Sequence, residues 1–279
     1  MNKDKLTSLC HKISKESGLT FNSVMTQYFL ETVLHRLANS KYNENLIFKG
    51  GFLLSNILGL GTRSTVDIDF LLTKMELSDE RIREMLSDAL ENDSDDKITY
   101  EIQGIQKIKG QDQYGGYRVM VICGLQNIKQ IVPLDIATGD LVTPDPIDYV
   151  YSSTFGLEDI TIRAYPIETI MAEKLQTIYI KGFLNSRSKD YYDLHVIYNL
   201  KRDKIRIEIL MEACKKTFSQ RNTEFDLNKI KIFLKDIKND ESFVKRWNGY
   251  EKKNPYDKGT KLETAIESIL SVIGLMYLE

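Results

Sequence analysis

Two aspartates interrupt an apolar, strand-like run within KGGFLLSNILGLGTRSTVDIDF, residues 49–70. Because side chains along a strand alternate between its two faces, Asp67 and Asp69 project from one face and Ile68 from the other. Two adjacent carboxylates repel each other unless a positive charge lies between them. The usual positive charge is a divalent metal ion bound through oxygen ligands, so this pair is a candidate metal site.

A third aspartate, Asp135, lies between apolar neighbours in the strand-like segment KQIVPLDIA, residues 129–137. Three carboxylates on neighbouring strands can hold a pair of Mg²⁺ (or Mn²⁺) ions around a transferring phosphate. Gly50 and Gly51 open a short helix, where their backbone N–H groups can approach the phosphate oxygens of a nucleoside triphosphate. Phosphoryl chemistry of this kind depends on positioning and charge stabilisation, so it needs no Cys–His or Ser–His nucleophile.

Each of these features has a plainer explanation when it is taken alone. A Gly-Gly pair is more often a simple turn, and an Asp-x-Asp pair is more often a surface pair or a helix cap. The ordered set is more specific, because a strand, the glycine pair, a short helix, the aspartate pair and a third strand aspartate follow one another.

The first part of the chain alternates between helix and strand. Apolar spacing predicts two helices across 4–39 with a break at Ser17-Gly18, and a short strand and helix flank Gly50-Gly51. Ser78 is a suitable N-cap for an amphipathic helix over 78–91. Three further strands are expected at residues 97–108, 117–125 and 129–137. The first two form a hairpin around the polar loop 109–116.

The second part of the chain reads as helical. Helical spacing runs through 166–200, 205–240 and 260–278, and Pro144 and Pro146 make 143–150 the best linker candidate. The sequence therefore predicts an α+β protein, with a β-containing core at roughly 40–145 that carries the three aspartates.

Composition narrows the class of protein. The 279 residues are 42% hydrophobic and 28% charged, and neither a signal peptide nor a run of 18 apolar residues is present, so a globular, cytoplasmic protein with no membrane span is expected. The three cysteines and three histidines are scattered, which favours a reducing compartment and offers no zinc spacing. Residues 201–260 carry 16 Lys/Arg and 10 Asp/Glu, which suits a polyanion such as RNA or simply a solvated helical surface.

The glycine and aspartate segment resembles the first motif of the nucleotidyltransferase superfamily, whose fold is shared by polymerase-beta-like enzymes. The wider context is similar to the AbiEii/AbiGii-type toxin family of type IV toxin–antitoxin and abortive-infection systems, in IFKGGFLL, RSTVDIDFLL, VPLDIATGD, IETIMAEKLQTI and RSKDYYDLHVI. The resemblance covers roughly residues 25–200. One departure is Phe52, which stands where many superfamily members have a phosphate-contacting Ser or Thr, so backbone amides, Ser64 or Thr65 would serve instead.

Lys174 has apolar neighbours three and four residues away on its predicted helix, so it either extends to solvent or faces a buried anion. Asp190 and Asp193 share a helix face; the first could cap the helix and the second could pair with Lys189. The resemblance implies that a lysine and an Arg-x-x-Asp segment complete the nucleotide site. It assigns these roles to Lys174, Arg187 and Asp190, and less directly to Asp193.

The resemblance also implies the fold and the activity. It predicts helices over 1–45, a nucleotidyltransferase-like core with a mixed or antiparallel sheet over 46–150, and a helical domain over 151–279 that completes the active site. The expected activity is Mg²⁺-dependent transfer of a nucleoside monophosphate from an NTP to RNA, particularly the 3′ end of tRNA, with Asp67, Asp69 and Asp135 as metal ligands. Growth arrest, phage defence and a cognate antitoxin, commonly a DNA-binding repressor, would follow.

Two other classes of function remain open from the sequence. The same chemistry could modify a small molecule or a protein side chain, as other members of the superfamily do. A non-catalytic NTP-binding or regulatory module would keep the aspartate pair for structure, and the substitution Asp69→Asn would then leave the biological effect intact.

Overall fold

The computed structural model describes residues 1–91, 97–108, 115–257 and 259–278. Contacts between residues divide the chain into two units. The first unit comprises Met1–Asp140 and Pro146–Ala164, and the second comprises Leu141–Asp145 and Tyr165–Glu279.

The first unit contains a seven-stranded sheet with strand order β3-β4-β5-β2-β1-β7-β6. The pairs β2–β5 and β1–β7 are parallel and the other pairs are antiparallel, so the prediction of an α+β fold with a mixed sheet is confirmed. In chain order the elements are α1 (Lys3–Ser17), α2 (Phe21–Ala38), β1 (Leu46–Lys49), α3 (Gly50–Leu58), β2 (Ile68–Leu72), α4 (Asp79–Ala89), β3 (Ile98–Ile108), β4 (Gly116–Leu125), β5 (Ile128–Ala137), β6 (Ile147–Tyr151) and β7 (Ile160–Ala164).

The N-terminal helices have clear start and stop signals. Helix α1 ends at Gly18, whose φ of 76° is left-handed, and the Thr20 side chain caps α2 by accepting a hydrogen bond from the Ser23 amide. The predicted break at Ser17-Gly18 is therefore confirmed. Most of α2 is buried, because apolar residues occupy nearly all of its faces.

Three expectations for the first unit need correction or lie beyond the described residues. Strand β2 begins at Ile68, so Asp67 lies just before the strand and not within it. The linker predicted at 143–150 is wrong from residue 147 onward, because Ile147–Tyr151 pairs with β7 as the last strand of the sheet, although the chain does pass between the two units at Asp145–Pro146. Most of the predicted hairpin loop, at 109–114, lies outside the described residues.

The second unit is helical in the part that the structure describes. Its elements are α5 (Ile167–Lys181), α6 (Ser188–Lys201), α7 (Ile207–Gln220), α8 (Leu227–Ile237), α9 (Glu241–Lys253) and α10 (Leu262–Met276). Helix α9 falls in the gap between two segments that the sequence predicts as helical; Asp240 caps it, and Phe243 and Trp247 bury one face.

The contact-based units differ from the sequence division into 1–45, 46–150 and 151–279. Residues 151–164 include β7, which pairs with β1 and therefore belongs with the sheet. The three-domain division stays a prediction. Among the described residues, no helix combines the length and apolar character that crossing a membrane would require.

Candidate active site

Strand pairing brings the three aspartates of the first unit together. Parallel pairing of β2 with β5 sets Asp69 directly opposite Asp135, and Asp67 immediately precedes β2. One carboxylate oxygen from each of the three lies within 4.8 Å of the others, and all three residues are half-buried. Three carboxylates this close require a counter-charge.

Gly50 allows the backbone to pass close to Asp69. Antiparallel pairing of β1 with β2 sets Lys49 opposite Asp69, and the chain then turns into α3 with a φ of 73° at Gly50. A Cβ atom at position 50 would lie 2.0 Å from Oδ2 of Asp69, which no real contact permits. Glycine is therefore required both for the conformation and for the space.

The start of α3 is lined by the segment that precedes β2. A Cβ atom on Gly51 would lie 3.0 Å from Oγ1 of Thr65 and 3.2 Å from Nη2 of Arg63. Thr65 donates a 2.6 Å hydrogen bond to Oδ1 of Asp67, and the Ser64 carbonyl accepts a hydrogen bond from Arg63. Thr65 therefore provides a hydroxyl beside the first turn of α3.

Phe52 has a packing role that explains why it replaces a hydroxyl residue. Its side chain is fully buried, with its ring 5.6 Å from the rings of both Phe48 and Tyr151. A residue held in the apolar core cannot contact a phosphate, so any contact at the start of α3 has to come from backbone amides or from the neighbouring segment.

Arg118 is a charged member of the cluster that the sequence analysis missed. From β4 it donates two 2.7 Å hydrogen bonds, one to each oxygen of Asp135, and its Nη2 lies 3.8 Å from Oδ2 of Asp67. The hydrogen bonds to Asp135 raise the pKa of Arg118 above its already high ordinary value. Partial burial acts to lower this pKa, and the negative charges of the three aspartates act to raise it.

A second ion pair borders the same strands. Lys49, opposite Asp69 in β1, forms a salt bridge with Asp140, and both side chains are largely shielded from solvent. Lys49 is the last residue of β1 and therefore places a further positive charge beside the three aspartates. The sequence analysis did not identify this residue.

The second unit holds a separate buried cluster. Nζ of Lys174, on α5, donates to Oδ1 of Asp190 at 2.9 Å and to Oδ2 of Asp193 at 2.6 Å. The two aspartates on α6 are essentially inaccessible to solvent. Of the two readings of Lys174, the structure therefore shows the one in which it faces buried anions, and these anions belong to the chain itself.

Arg187 extends this cluster at the start of α6. Its Nε lies 3.0 Å from Oδ2 of Asp190, which is the third residue of the helix and not its N-cap. Burial acts to raise the pKa of Asp190, but the charges of Lys174 and Arg187, together with the Lys174 hydrogen bond, bring that pKa below its ordinary value. Asp190 is therefore held as a carboxylate.

The donor set of the first unit fits a divalent cation. Carboxylate oxygens are the ligands that Mg²⁺ and Mn²⁺ prefer, and Asp67, Asp69 and Asp135 each direct one oxygen into the same small volume. These residues could hold such an ion, with the Thr65 hydroxyl orienting Asp67 through its hydrogen bond.

A triad of carboxylates at two adjacent strands, beside a glycine pair that opens a helix, is typical of a nucleotidyltransferase site. Residues 32–270 match the family described as nucleotidyl transferase AbiEii toxin, type IV toxin–antitoxin system. The chain belongs to this family of enzymes, and the predicted resemblance is confirmed.

Two solved structures share the fold. One is a candidate nucleotidyltransferase from H. pylori, with a TM-score of 0.55, 17% identity, and coverage of 93% of this chain and 96% of that one. The other, JHP933 from Helicobacter pylori, has the same TM-score and identity, with coverage of 92% and 93%. No curated protein matches the chain significantly.

Proposed function

We propose that this nucleotidyltransferase transfers a nucleoside monophosphate from an NTP to an RNA acceptor, specifically the 3′ end of tRNA, with Mg²⁺ or Mn²⁺ as cofactor. The observation that carries the proposal is the gathering of three carboxylate oxygens within 4.8 Å beside Gly50, in a chain of the AbiEii family. In the reaction, the acceptor hydroxyl oxygen forms a bond to the α-phosphorus of the NTP. The bond between the α-phosphorus and the oxygen that bridges it to the β-phosphorus breaks. Pyrophosphate leaves, and the hydroxyl proton passes to a carboxylate or to water.

The residues of the first unit have distinct roles in this proposal. Asp67, Asp69 and Asp135 would hold the divalent cation, which when bound would neutralise triphosphate charge and lower the pKa of the acceptor hydroxyl. Asp135 is also the carboxylate proposed to take the acceptor proton. The amides at Gly50 and Gly51, together with Ser64, contact phosphate oxygens.

The cluster of the second unit serves the same reaction in this proposal. Arg187 has a half-exposed side chain whose planar guanidinium can contact phosphate oxygens. Asp190 and Asp193 fix the Lys174 ammonium, which supplies positive charge for the triphosphate. Loss of any of these would reduce transfer without removing the metal ligands.

The biological outcome that we propose is growth arrest. Modification of tRNA 3′ ends in the cytoplasm would block aminoacylation and arrest growth, and such arrest during phage infection is abortive infection. A type IV toxin–antitoxin system supplies a cognate antitoxin, which we propose to be a DNA-binding repressor.

The test is a labelling assay on the purified protein. Total bacterial RNA, Mg²⁺ and each labelled NTP in turn are incubated with the wild type, with Asp69→Asn and with Asp148→Asn. Asp148 is an exposed aspartate of the same sheet, on β6, and serves as the matched control. The expected result is label in a tRNA-sized band for the wild type and Asp148→Asn, with a loss of roughly 10³-fold in Asp69→Asn.

Other outcomes redirect the proposal. Label on protein or on a small molecule, and none on RNA, would replace the acceptor but keep the reaction. Equal labelling by Asp69→Asn and the wild type would remove the carboxylate cluster from the mechanism. A complete absence of transfer with every NTP would favour a non-catalytic nucleotide-binding module.

A further inference from the structure

Arg118 contacts the proposed metal ligands but has no role in the reaction described above. Its guanidinium occupies both oxygens of Asp135 through two 2.7 Å hydrogen bonds. Its Nη2 also lies 3.8 Å from Oδ2 of Asp67. One positive side chain therefore engages two of the three carboxylates that would hold a divalent cation.

A guanidinium and a divalent cation make conflicting demands on Asp135. The bidentate Arg–carboxylate pair is among the strong, charge-assisted hydrogen-bond geometries, and it uses both oxygens of the acceptor. A cation that takes one of these oxygens weakens the pair directly. It also repels the guanidinium, because the two positive charges then share a partly buried site.

We propose that Arg118 and the divalent cation compete for Asp135 and Asp67, so that cation binding is coupled to release of the Arg118 guanidinium from Asp135. The proposal rests on the metal site of the proposed function. It makes Arg118 a positioning residue that acts through Asp135 and sets the cation concentration at which the enzyme becomes active. By linkage, a cation that releases Arg118 is itself bound more weakly because Arg118 is present.

Arg118 is exposed enough to respond in this way. Its side chain is 47% exposed, whereas that of Asp135 is only 17% exposed. The arginine can therefore move toward solvent while Asp135 stays in the sheet. The contrary role would be simple support, in which Arg118 holds Asp135 in the orientation that the cation needs and its removal weakens cation binding.

The first experiment measures Mn²⁺ affinity by EPR titration of free Mn²⁺, without NTP or RNA, in the wild type, Arg118→Gln and Arg118→Lys. Arg118→Gln keeps a hydrogen-bond donor for Asp135 but removes the charge, and Arg118→Lys keeps the charge. Competition predicts that Arg118→Gln binds Mn²⁺ about tenfold more tightly than the wild type, with Arg118→Lys between the two. Circular dichroism establishes that each variant is folded.

Mn²⁺ affinity that is unchanged or weaker in Arg118→Gln would overturn the competition and show that Arg118 supports Asp135. Asp69→Asn serves as the control that loses Mn²⁺ binding in either case. If neither the wild type nor Arg118→Gln binds Mn²⁺, the metal site itself fails. If Mn²⁺ binds as expected but no nucleotide is transferred, only the proposed reaction fails.

The second experiment observes the hydrogen bond directly. In protein labelled with ¹⁵N-arginine, the Arg118 Nε–H signal is identified by its absence from Arg118→Lys. Saturating Mg²⁺ is expected to move this signal toward the position of solvated arginines and to accelerate its exchange with water. The Nε–H of Arg206, which donates to Glu168 at 2.9 Å in the second unit, is the internal control and should not move. An Arg118 signal that stays unchanged under Mg²⁺ would overturn the proposal.

Discussion

At the scale of single residues, Gly50 is the position at which the sequence has least freedom. Its left-handed φ of 73° disfavours any side chain, and a Cβ atom would overlap Oδ2 of Asp69 at 2.0 Å. The first constraint acts on folding, because a non-glycine residue in this conformation costs about 1 kcal/mol. The second acts on the candidate site, because Asp69 has to move.

Gly50→Ala separates these two effects when it is compared with Gly18→Ala. Gly18 has a φ of 76°, but a Cβ atom there would meet nothing within 4 Å. Both variants should lose about 1 kcal/mol of stability, with Gly50→Ala losing more because of the overlap. Only Gly50→Ala should lose Mn²⁺ affinity and about 100-fold or more in transfer. Equal activity of the two variants would mean that the close approach of Gly50 to Asp69 is unimportant.

Glu31 is a buried carboxylate of the first unit, and all of its hydrogen-bond partners except Gln27 are remote in sequence. It accepts hydrogen bonds from the Tyr151 hydroxyl, the Thr154 amide and the Gln27 side chain at 3.0, 3.1 and 3.3 Å, and also from the Ser153 hydroxyl. Burial raises the pKa of Glu31 above its ordinary value of 4.5, although these hydrogen bonds act to lower it. The carboxylate therefore ties α2 to the end of β6 at a cost in desolvation.

The raised pKa makes this contribution to stability depend on pH. Between 4.5 and the raised pKa, the folded state binds more protons at Glu31 than the unfolded state does. The free energy of unfolding must then fall as the pH rises through this range, by about 1.4 kcal/mol for each unit of pKa shift. Above the raised pKa it levels off.

Glu31→Gln removes the titrating group and nearly preserves the shape. Urea unfolding from about pH 4.5 to about pH 7.5 should show the wild type losing stability relative to Glu31→Gln as the pH rises. Groups elsewhere titrate equally in both proteins and cancel in the difference. A difference that is constant or that grows with pH would contradict the raised pKa.

At the scale of elements, Lys174 connects α5 to α6 through two aspartates that are shielded from solvent. Removal of the ammonium leaves two negative carboxylates without the positive charge of Lys174. Because both carboxylates are shielded from solvent, water does not take the place of the lost charge. Breaking a buried ion pair by removing one partner typically costs 3–5 kcal/mol, whereas an exposed pair contributes little.

Lys174→Met should therefore lower the free energy of unfolding by about 3 kcal/mol, measured by chemical denaturation. The double variant Lys174→Met/Asp193→Asn should recover about 1 kcal/mol, because one unpaired charge is gone. Lys216→Ala is the control: its pair with Glu212 is half-exposed on both sides, and the change should stay within about 0.5 kcal/mol. A Lys174→Met protein as stable as the control would show that the cluster does not hold the helices together.

Local patterns predicted most of these elements because period and capping are local properties of the chain. The break at Gly18, the Ser78 cap and the strand–glycine–helix unit at Gly50 are all present where the sequence places them. Long-range pairing is different: nothing local shows that β2 lies between β1 and β5. For the same reason the sequence predicts a linker where Ile147–Tyr151 forms a strand, since an edge strand with two nearby prolines carries a weak signal.

The pairing of Arg118 with Asp135 could have been found from the sequence. Strands β4 and β5 are joined by the two-residue turn Gln126-Asn127, which sets Leu125 opposite Ile128. Counting back from such a turn fixes the register of the whole hairpin and sets Arg118 opposite Asp135. The contacts of Lys174 could not be counted in this way, because the loop between α5 and α6 leaves the relative rotation of the two helices undetermined.

At the scale of the whole molecule, charge is distributed unevenly along the chain. The net charge of −2 conceals the excess of six positive residues in 201–260, a segment that includes the whole of α7, α8 and α9. Several of these lysines are exposed, including Lys215, Lys235, Lys245, Lys252 and Lys253. Exposed lysines on consecutive helices suit a polyanion, and each phosphate that they neutralise would add to the salt dependence of binding.

RNA binding by this segment predicts a specific loss when its charge is removed. Changing Lys215, Lys235, Lys245 and Lys252 to Gln should weaken the binding of tRNA by at least about tenfold. The slope of log affinity against log salt concentration should also become shallower, by up to about 0.9 for each phosphate that is no longer neutralised. Affinity for the NTP and for Mn²⁺ should not change, because those ligands are proposed to bind at the carboxylate and Lys174 clusters. Filter binding at several salt concentrations, beside Mn²⁺ titration, measures both.

The control removes the same charge elsewhere. Lys5, Lys15, Lys97 and Lys129 are exposed residues of the first unit, and changing all four to Gln alters the net charge equally. If affinity falls in the same way in both variants, only net charge matters and the helical segment has no special role. If only the 201–260 variant loses affinity, the second unit carries the RNA, and transfer should then show a raised KM with little change in kcat.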